Sequence, residues 1–109
     1  MKDCIFSKIR DGEIAKEFTY QDEDVMVFPD IHPNKPIHLL IIPKKHIEDF
    51  LGLNDMSLVE KLIAVIKKMI KKNKLENKGY KISINGGGAQ DIDHIHFHLR
   101  GPMGKEATF

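Results

Sequence analysis

The chain has 109 residues, with 17 basic side chains against 16 acidic ones, no tryptophan and a single cysteine. That length suits one domain, 1–109, with one core, and the near-neutral balance exerts no general pull on nucleic acid or on an anionic membrane. Cys4 alone rules out an internal disulfide framework, no run approaches the roughly 18 apolar residues of a membrane span, and the charged opening "MKDCIFSKIRDG" lacks a signal-peptide core, so a cytoplasmic protein is expected.

In chain order, residues 4–10 ("CIFSKIR") predict a short helical turn with Ile5, Phe6 and Ile9 on one side. "EFTYQDEDVMVFPD" predicts two strands, about 16–20 and 25–29, joined by a polar turn at 21–24; Pro29 ends the second. "HPNKP" is a loop by its prolines and Asn34, and "IHLLIIP", 37–43, is a buried strand stopped by Pro43. "NDMSLVEKLIAVIKKMIKKN" places Val59, Leu62, Ile63, Ile66, Met69 and Ile70 at helical spacing. Asn54 or Ser57 can cap it, with Glu60 completing a box after Ser57. Lys67, Lys68, Lys71 and Lys72 favour its C-terminal end and read as a solvated face rather than a nucleic-acid contact. "GYKISIN", 79–85, predicts a strand, "GGGAQ" a glycine-rich loop, and 92–99 the last strand. The expected architecture is α+β: about five mostly antiparallel strands, one long helix and a short N-terminal helix.

The stretch "DIDHIHFHLRGP" spaces His94, His96 and His98 one residue apart, with Ile95, Phe97 and Leu99 between and after them. On a strand, alternate side chains share a face. The imidazoles would then be displayed on one face and the apolar residues would point into the core. Three readings compete. The histidines can be merely solvent-exposed. They can hold a metal, which asks for a further ligand and a supporting acid. Or one can be a nucleophile, since a neutral imidazole attacks phosphoryl or acyl groups near pH 7 while its neighbours donate hydrogen bonds. "NGGGAQ" upstream could offer backbone amides to an anion, although it fits neither common nucleotide loop. The glycine loop, Gln90 and three same-face histidines together favour the nucleophile.

These residues resemble the histidine triad family, whose motif alternates three histidines with apolar positions and ends on two apolar residues; here Arg100 takes the last place. "CIFSKIRDGEIAKEFTYQDEDVMVFPDIHPNKPIHLLIIPKKHI" and "GYKISINGGGAQDIDHIHFH" are similar to the family's two halves, so the likeness covers about residues 3–100. It implies a homodimer that binds purine nucleotides. In the short branch, which shares "IPKKH", it implies hydrolysis of purine nucleoside 5′-phosphoramidates, or transfer of the nucleoside monophosphate, with no required cofactor. His96 would be the nucleophile and carry the nucleotidyl group. His98 would contact the phosphate or leaving group, His94 would support His96, and His38 would complete the histidine network. Asn85, Gln90 and position 91 would meet the phosphate. Asp30 would accept from the ribose hydroxyls, and Ile5, Phe6, Ile9, Phe28, Ile31 and Leu40 would line the base pocket.

The chain departs from that pattern. Asp91 stands where relatives carry Ser or Thr, and a carboxylate about 4 Å from a phosphate charge costs roughly 4 kcal/mol at a surface-like dielectric. The glycine loop is shorter, with Ala89 in place of a glycine, and the tail "GPMGKEATF" is short. Some bacterial relatives hold structural zinc with two cysteines, the histidine of "PKKH" and the first triad histidine. Here Cys4, His46 and His94 remain but Ser7 replaces the second cysteine, so at most weak zinc is expected. A nearly inactive nucleotide-binding dimer acting through a partner is the alternative to an enzyme, and a dinucleoside polyphosphate hydrolase is a third reading.

Overall fold

Five strands form one antiparallel sheet in the order β1-β2-β3-β5-β4. They are β1 (Tyr20–Gln21), β2 (Val25–Pro29), β3 (Ile37–Pro43), β4 (Lys81–Ile84) and β5 (Phe97–Gly101), with helices α1 (Ile5–Arg10) and α2 (Met56–Lys72). The structure, a computed structural model, describes residues 4–105. The first residues of the opening segment read above for a leader, and the last four of the tail, lie outside them. No helix among the described residues is long and apolar enough to cross a membrane.

Register decides which side chains share a face. Phe28 pairs with Leu40 and Leu40 with His98, whereas Val27 pairs with Ile41 and Ile41 with Phe97. The second set packs beneath α2, where Val25, Val27, Leu39, Ile41, Ile95 and Leu99 meet Leu58, Leu62, Val65, Ile66, Met69 and Ile70. Each such side chain contributes about 1.5–3 kcal/mol on burial, which holds a helix that would be marginal alone. The first set packs beneath α1, joining Met26, Phe28, Leu40 and Ile42 to Cys4, Phe6 and Ile9. The sheet is therefore covered on both faces, which is why "IHLLIIP" is apolar without alternation.

Several local expectations shift. Asp55, not Asn54 or Ser57, caps α2; its carboxylate accepts from the Ser57 and Leu58 amides at 3.0 and 3.3 Å. Leu58 and Val65 take buried places on α2, and Ile63 turns outward at 48 % exposure, because the helix carries more apolar residues than its inner face holds. The first strand shrinks to two residues and the fourth to 81–84. The last strand runs 97–101 rather than 92–99, since the Ile95 amide leaves the ladder and donates to the Ile47 carbonyl at 2.7 Å.

Candidate active site

The histidines gather where β5 begins. His98 lies on β5, and His96 and His94 sit in the irregular segment that leads into it. The expected alternation persists through that segment, for Ile95 and Leu99 are in the core under α2. The imidazoles, however, are not displayed: His94, His96 and His98 are 0 %, 7 % and 8 % exposed. The cause is α1. Its Phe6 ring stands edge-on to His94 and His96, with centroids 5.7 and 5.2 Å away.

Hydrogen bonds assign each imidazole a tautomer. The His96 Nδ1–H donates to the His94 carbonyl at 2.8 Å, which leaves a lone pair on Nε2. The Asn34 amide donates to His38 Nδ1 at 3.4 Å, so the neutral ring carries its proton on Nε2 and donates to His98 Nδ1 at 2.9 Å. His98 must then hold its proton on Nε2, a buried atom with no partner. Asp30 Oδ2 lies 3.5 Å from His38 Nε2. His38 and His98 are both kept neutral, first by burial and then by the Arg100 charge, with His98 pushed down to about 4. The outcome is an imidazole lone pair on His96 beside an N–H donor on His98, their rings 5.1 Å apart.

These two rings open on a cleft of about 280 Å³. Its wall includes all seven residues expected around a nucleoside: Ile5, Phe6, Ile9, Phe28, Asp30, Ile31 and Leu40. Asp91 also lines it, as do Lys16, His32 and Ile92, which the sequence did not single out. Lys16 holds its ammonium 5.0 Å over the Phe28 ring, at the apolar end. No periodicity marks Lys16, because it lies in the irregular segment between α1 and β1.

Asn85 and Gln90 are not among the residues that line the cleft. Asn85 is exposed beyond β4. Gln90 accepts from the Gly88 amide at 2.9 Å and donates to the Glu48 carbonyl at 3.1 Å. Nor are the loop amides at 87–89 free for an anion. Gly87 N–H faces the Asp49 carboxylate at 3.3 Å, and Ala89 N–H donates to the Gly86 carbonyl at 3.2 Å. The glycine loop, as it stands, is tied to the segment 48–49 rather than opened toward a ligand.

A family model described as "Scavenger mRNA decapping enzyme C-term binding" matches residues 3–108. An uncharacterized HIT-like protein of Methanocaldococcus jannaschii is 41% identical over 98 residues, covering 88% of this chain and 76% of that one. The crystal structure of a HIT family hydrolase from Legionella pneumophila superposes with a TM-score of 0.87 at 39% identity, over 98% of this chain and 97% of the other. The chain belongs to the histidine triad family. A histidine triad nucleotide-binding protein from Candida albicans is also similar, with a TM-score of 0.81 and 36% identity over 89% of this chain and 73% of that one.

The structural zinc held by some histidine triad proteins can be tested against these residues. Donor atoms of Cys4, His46 and His94 all lie within 4.8 Å of one another. His46 Nδ1 is buried without a hydrogen-bond partner, and so is the Ser7 hydroxyl on α1. His94, by contrast, is already engaged: Nε2 meets the Pro43 carbonyl at 2.7 Å and Nδ1 meets Cys4 Sγ at 3.3 Å. Three donors of the right kind with a hydroxyl as the fourth do not make a closed tetrahedral centre. The set fits a weak three-donor site at most, and no chemical step is assigned to it.

Burial also carries a pH dependence. It pushes His94 down to about 4, against the Pro43 hydrogen bond that favours the charged form, and His98 down to about 4. Unfolded histidine protonates near pH 6.5. Between about 6.5 and 4 the unfolded chain therefore binds more protons, and stability falls as pH falls. The expected loss between about pH 7 and pH 5 is roughly 4 kcal/mol for the two groups together, about 2 kcal/mol each. Urea midpoints across that range check it; a flat profile would mean that both histidines titrate in the folded protein as they do in the unfolded chain.

Proposed function

We propose that this protein hydrolyses purine nucleoside 5′-phosphoramidates, or transfers their nucleoside monophosphate, through a nucleotidyl group on His96. The observation that carries the reading is the tautomer pair on two rings that line the cleft: a lone pair on His96 Nε2 beside an N–H on His98 Nε2. In this reading the His96 nitrogen attacks phosphorus, the P–N bond breaks, and the amine leaves with the bonding pair and gains a proton. Water then displaces His96 and releases the nucleoside monophosphate. The His98 N–H donates to a phosphate oxygen or to the leaving nitrogen, where charge develops. Holding both groups in a water-poor pocket beneath α1 strengthens that donation.

The remainder of the cleft suits the rest of such a substrate. Register places His98, Leu40 and Phe28 on three adjacent strands, so the phosphate end and the Phe28 end lie about 10 Å apart. Asp30, just after β2 with its carboxylate 3.5 Å from His38, would accept from ribose hydroxyls, and the side chains of α1 would cover a base. Asn85 and Gln90 would have to turn from their present positions to reach the phosphate. No cofactor is required by this chemistry. A homodimer is part of the proposal, with edge strand β4, its half-exposed Ile82 and the preceding Tyr80 as a surface it would cover.

A second reading keeps the nucleotide and drops the chemistry. Asp91 lines the cleft beside His96 and His98 and sets a carboxylate against an anionic substrate. The deciding assay follows release of a fluorescent amine from adenosine and guanosine 5′-phosphoramidates with a chelator present. Release that survives chelation supports the enzyme. No release from either nucleoside, with AMP or GMP still bound, leaves a binding module.

A further inference from the structure

The histidine network continues beyond His38 to a residue the family motif does not expect. Arg100 is two residues after His98 on β5, so it shares the face of His98, and it pairs across the sheet with His38. Its guanidinium spans two partners. Nε donates to Asn34 Oδ1 at 3.0 Å and Nη1 donates to the Ser83 hydroxyl at 2.8 Å. Asn34 is the residue whose backbone amide donates to His38 Nδ1. An unbroken chain of hydrogen bonds thus runs from Ser83 on β4 through Arg100, Asn34 and His38 to His98.

We propose that Arg100 is a positioning residue: it ties the exposed loop at Asn34 to the sheet, so that the Asn34 amide holds His38, and His38 in turn holds His98 with its N–H aimed into the cleft. The link from Asn34 to His38 is the weak one, at 3.4 Å. An unanchored loop would let that amide drift, and His38 would then be free to carry its proton on either nitrogen. A proton on Nδ1 turns His38 from a donor to His98 into an acceptor from it. His98 would then present a lone pair, not an N–H, to the cleft. An apolar residue at this position, as in the family motif, can pack but cannot make either of the two bonds. The guanidinium charge acts in the same direction, since a cation beside both rings disfavours a second proton on them. The other charged or titratable groups facing the pair are Asp30 after β2, which favours protonation, and His96, which opposes it on His98.

The tautomers can be read without substrate, by long-range nitrogen–proton NMR on the nitrogen-15-labelled protein. Wild type should show His38 and His98 as neutral rings protonated on Nε2. In Arg100→Leu, the His38 signals should move toward a mixture of tautomers, and the His98 titration midpoint should rise. Arg100→Lys keeps the charge and one donor and should restore part of both. Asn34→Ala removes the anchor from an exposed loop without touching the core, and should mix the His38 tautomers with Arg100 still present. Unchanged tautomers and midpoints in both Arg100→Leu and Asn34→Ala would overturn the proposal. So would a His38 already protonated on Nδ1 in wild type. The catalytic consequence rests on the function proposed above: turnover should fall in Arg100→Leu with the fraction of His98 that has lost its N–H, and by less than the roughly 10²-fold that a positioned proton donor supplies. Because the NMR arm needs no turnover, its result separates failure of the Arg100 proposal from failure of the enzymatic reading.

Discussion

His96→Ala should abolish turnover of a nucleoside phosphoramidate, with a loss on the order of 10⁴-fold or more, the scale seen when a covalent nucleophile is deleted. The variant should still bind AMP or GMP, because the apolar wall from Ile5, Phe6, Ile9 and Phe28 and the Asp30 carboxylate are untouched. It should also fold. His96 makes one side-chain hydrogen bond, to the His94 carbonyl, and edge contacts with Phe6 and His98. Losing these leaves a gap in the cleft wall rather than a hole in either core. Intact-mass measurement after a rapid acid-free quench should find a nucleotidyl adduct on wild type and none on the variant. If the variant turns over within about tenfold of wild type, His96 is not the nucleophile, and water attacking phosphorus directly is the mechanism to examine.

Asp91→Ser should raise turnover and tighten nucleotide binding. The carboxylate lines the same cleft as His96 and His98. Two unit charges about 4 Å apart cost about 1 kcal/mol in bulk water and about 4 kcal/mol at a surface-like dielectric. Asp91 is exposed, so solvent screens part of that interaction and the effect should sit toward the lower figure, roughly tenfold in kcat/KM. Salt gives a second handle: the ratio between variant and wild type should shrink as ionic strength rises. A variant that is slower than wild type would reverse the assignment and make Asp91 a contributor, by attracting a cationic leaving group or by orienting water. If neither protein turns over and both bind nucleotide, the loss of chemistry lies elsewhere in the site.

Much of the site was legible because strand geometry is simple. Three histidines with apolar residues between them can share a face only if their neighbours face the core, and Ile95 and Leu99 do. The resemblance placed seven residues around a nucleoside, and all seven line one cleft. What alternation does not encode is what lies above the face. The imidazoles read as displayed, yet all three are buried, His94 and His96 by α1, because the apolar side of "CIFSKIR" folds back over the sheet from some ninety residues away in sequence. The glycine loop likewise read as an open cradle. Its amides are occupied, since Asp49 and the Gln90 side chain reach them first. Arg100 was visible as a break in the motif, but its partners Asn34 and Ser83 belong to other elements, and no spacing rule connects them.

The α+β class, the order of the elements and the face on which the histidines fall are legible from the chain alone, because periods of 2.0 and 3.6 residues are local properties of the backbone. So are the residues that can do chemistry, since side-chain type is covalent. Tertiary structure decided the rest. Burial in the folded protein sets the protonation of His94 and His98, as the penalty for a charge depends on what surrounds it rather than on its neighbours in the chain. The tautomers of His96, His38 and His98 follow from one backbone carbonyl and one loop amide. Those two contacts put a lone pair and a proton donor side by side, and they exist only once the Asn34 loop and the segment before β5 have closed on the sheet.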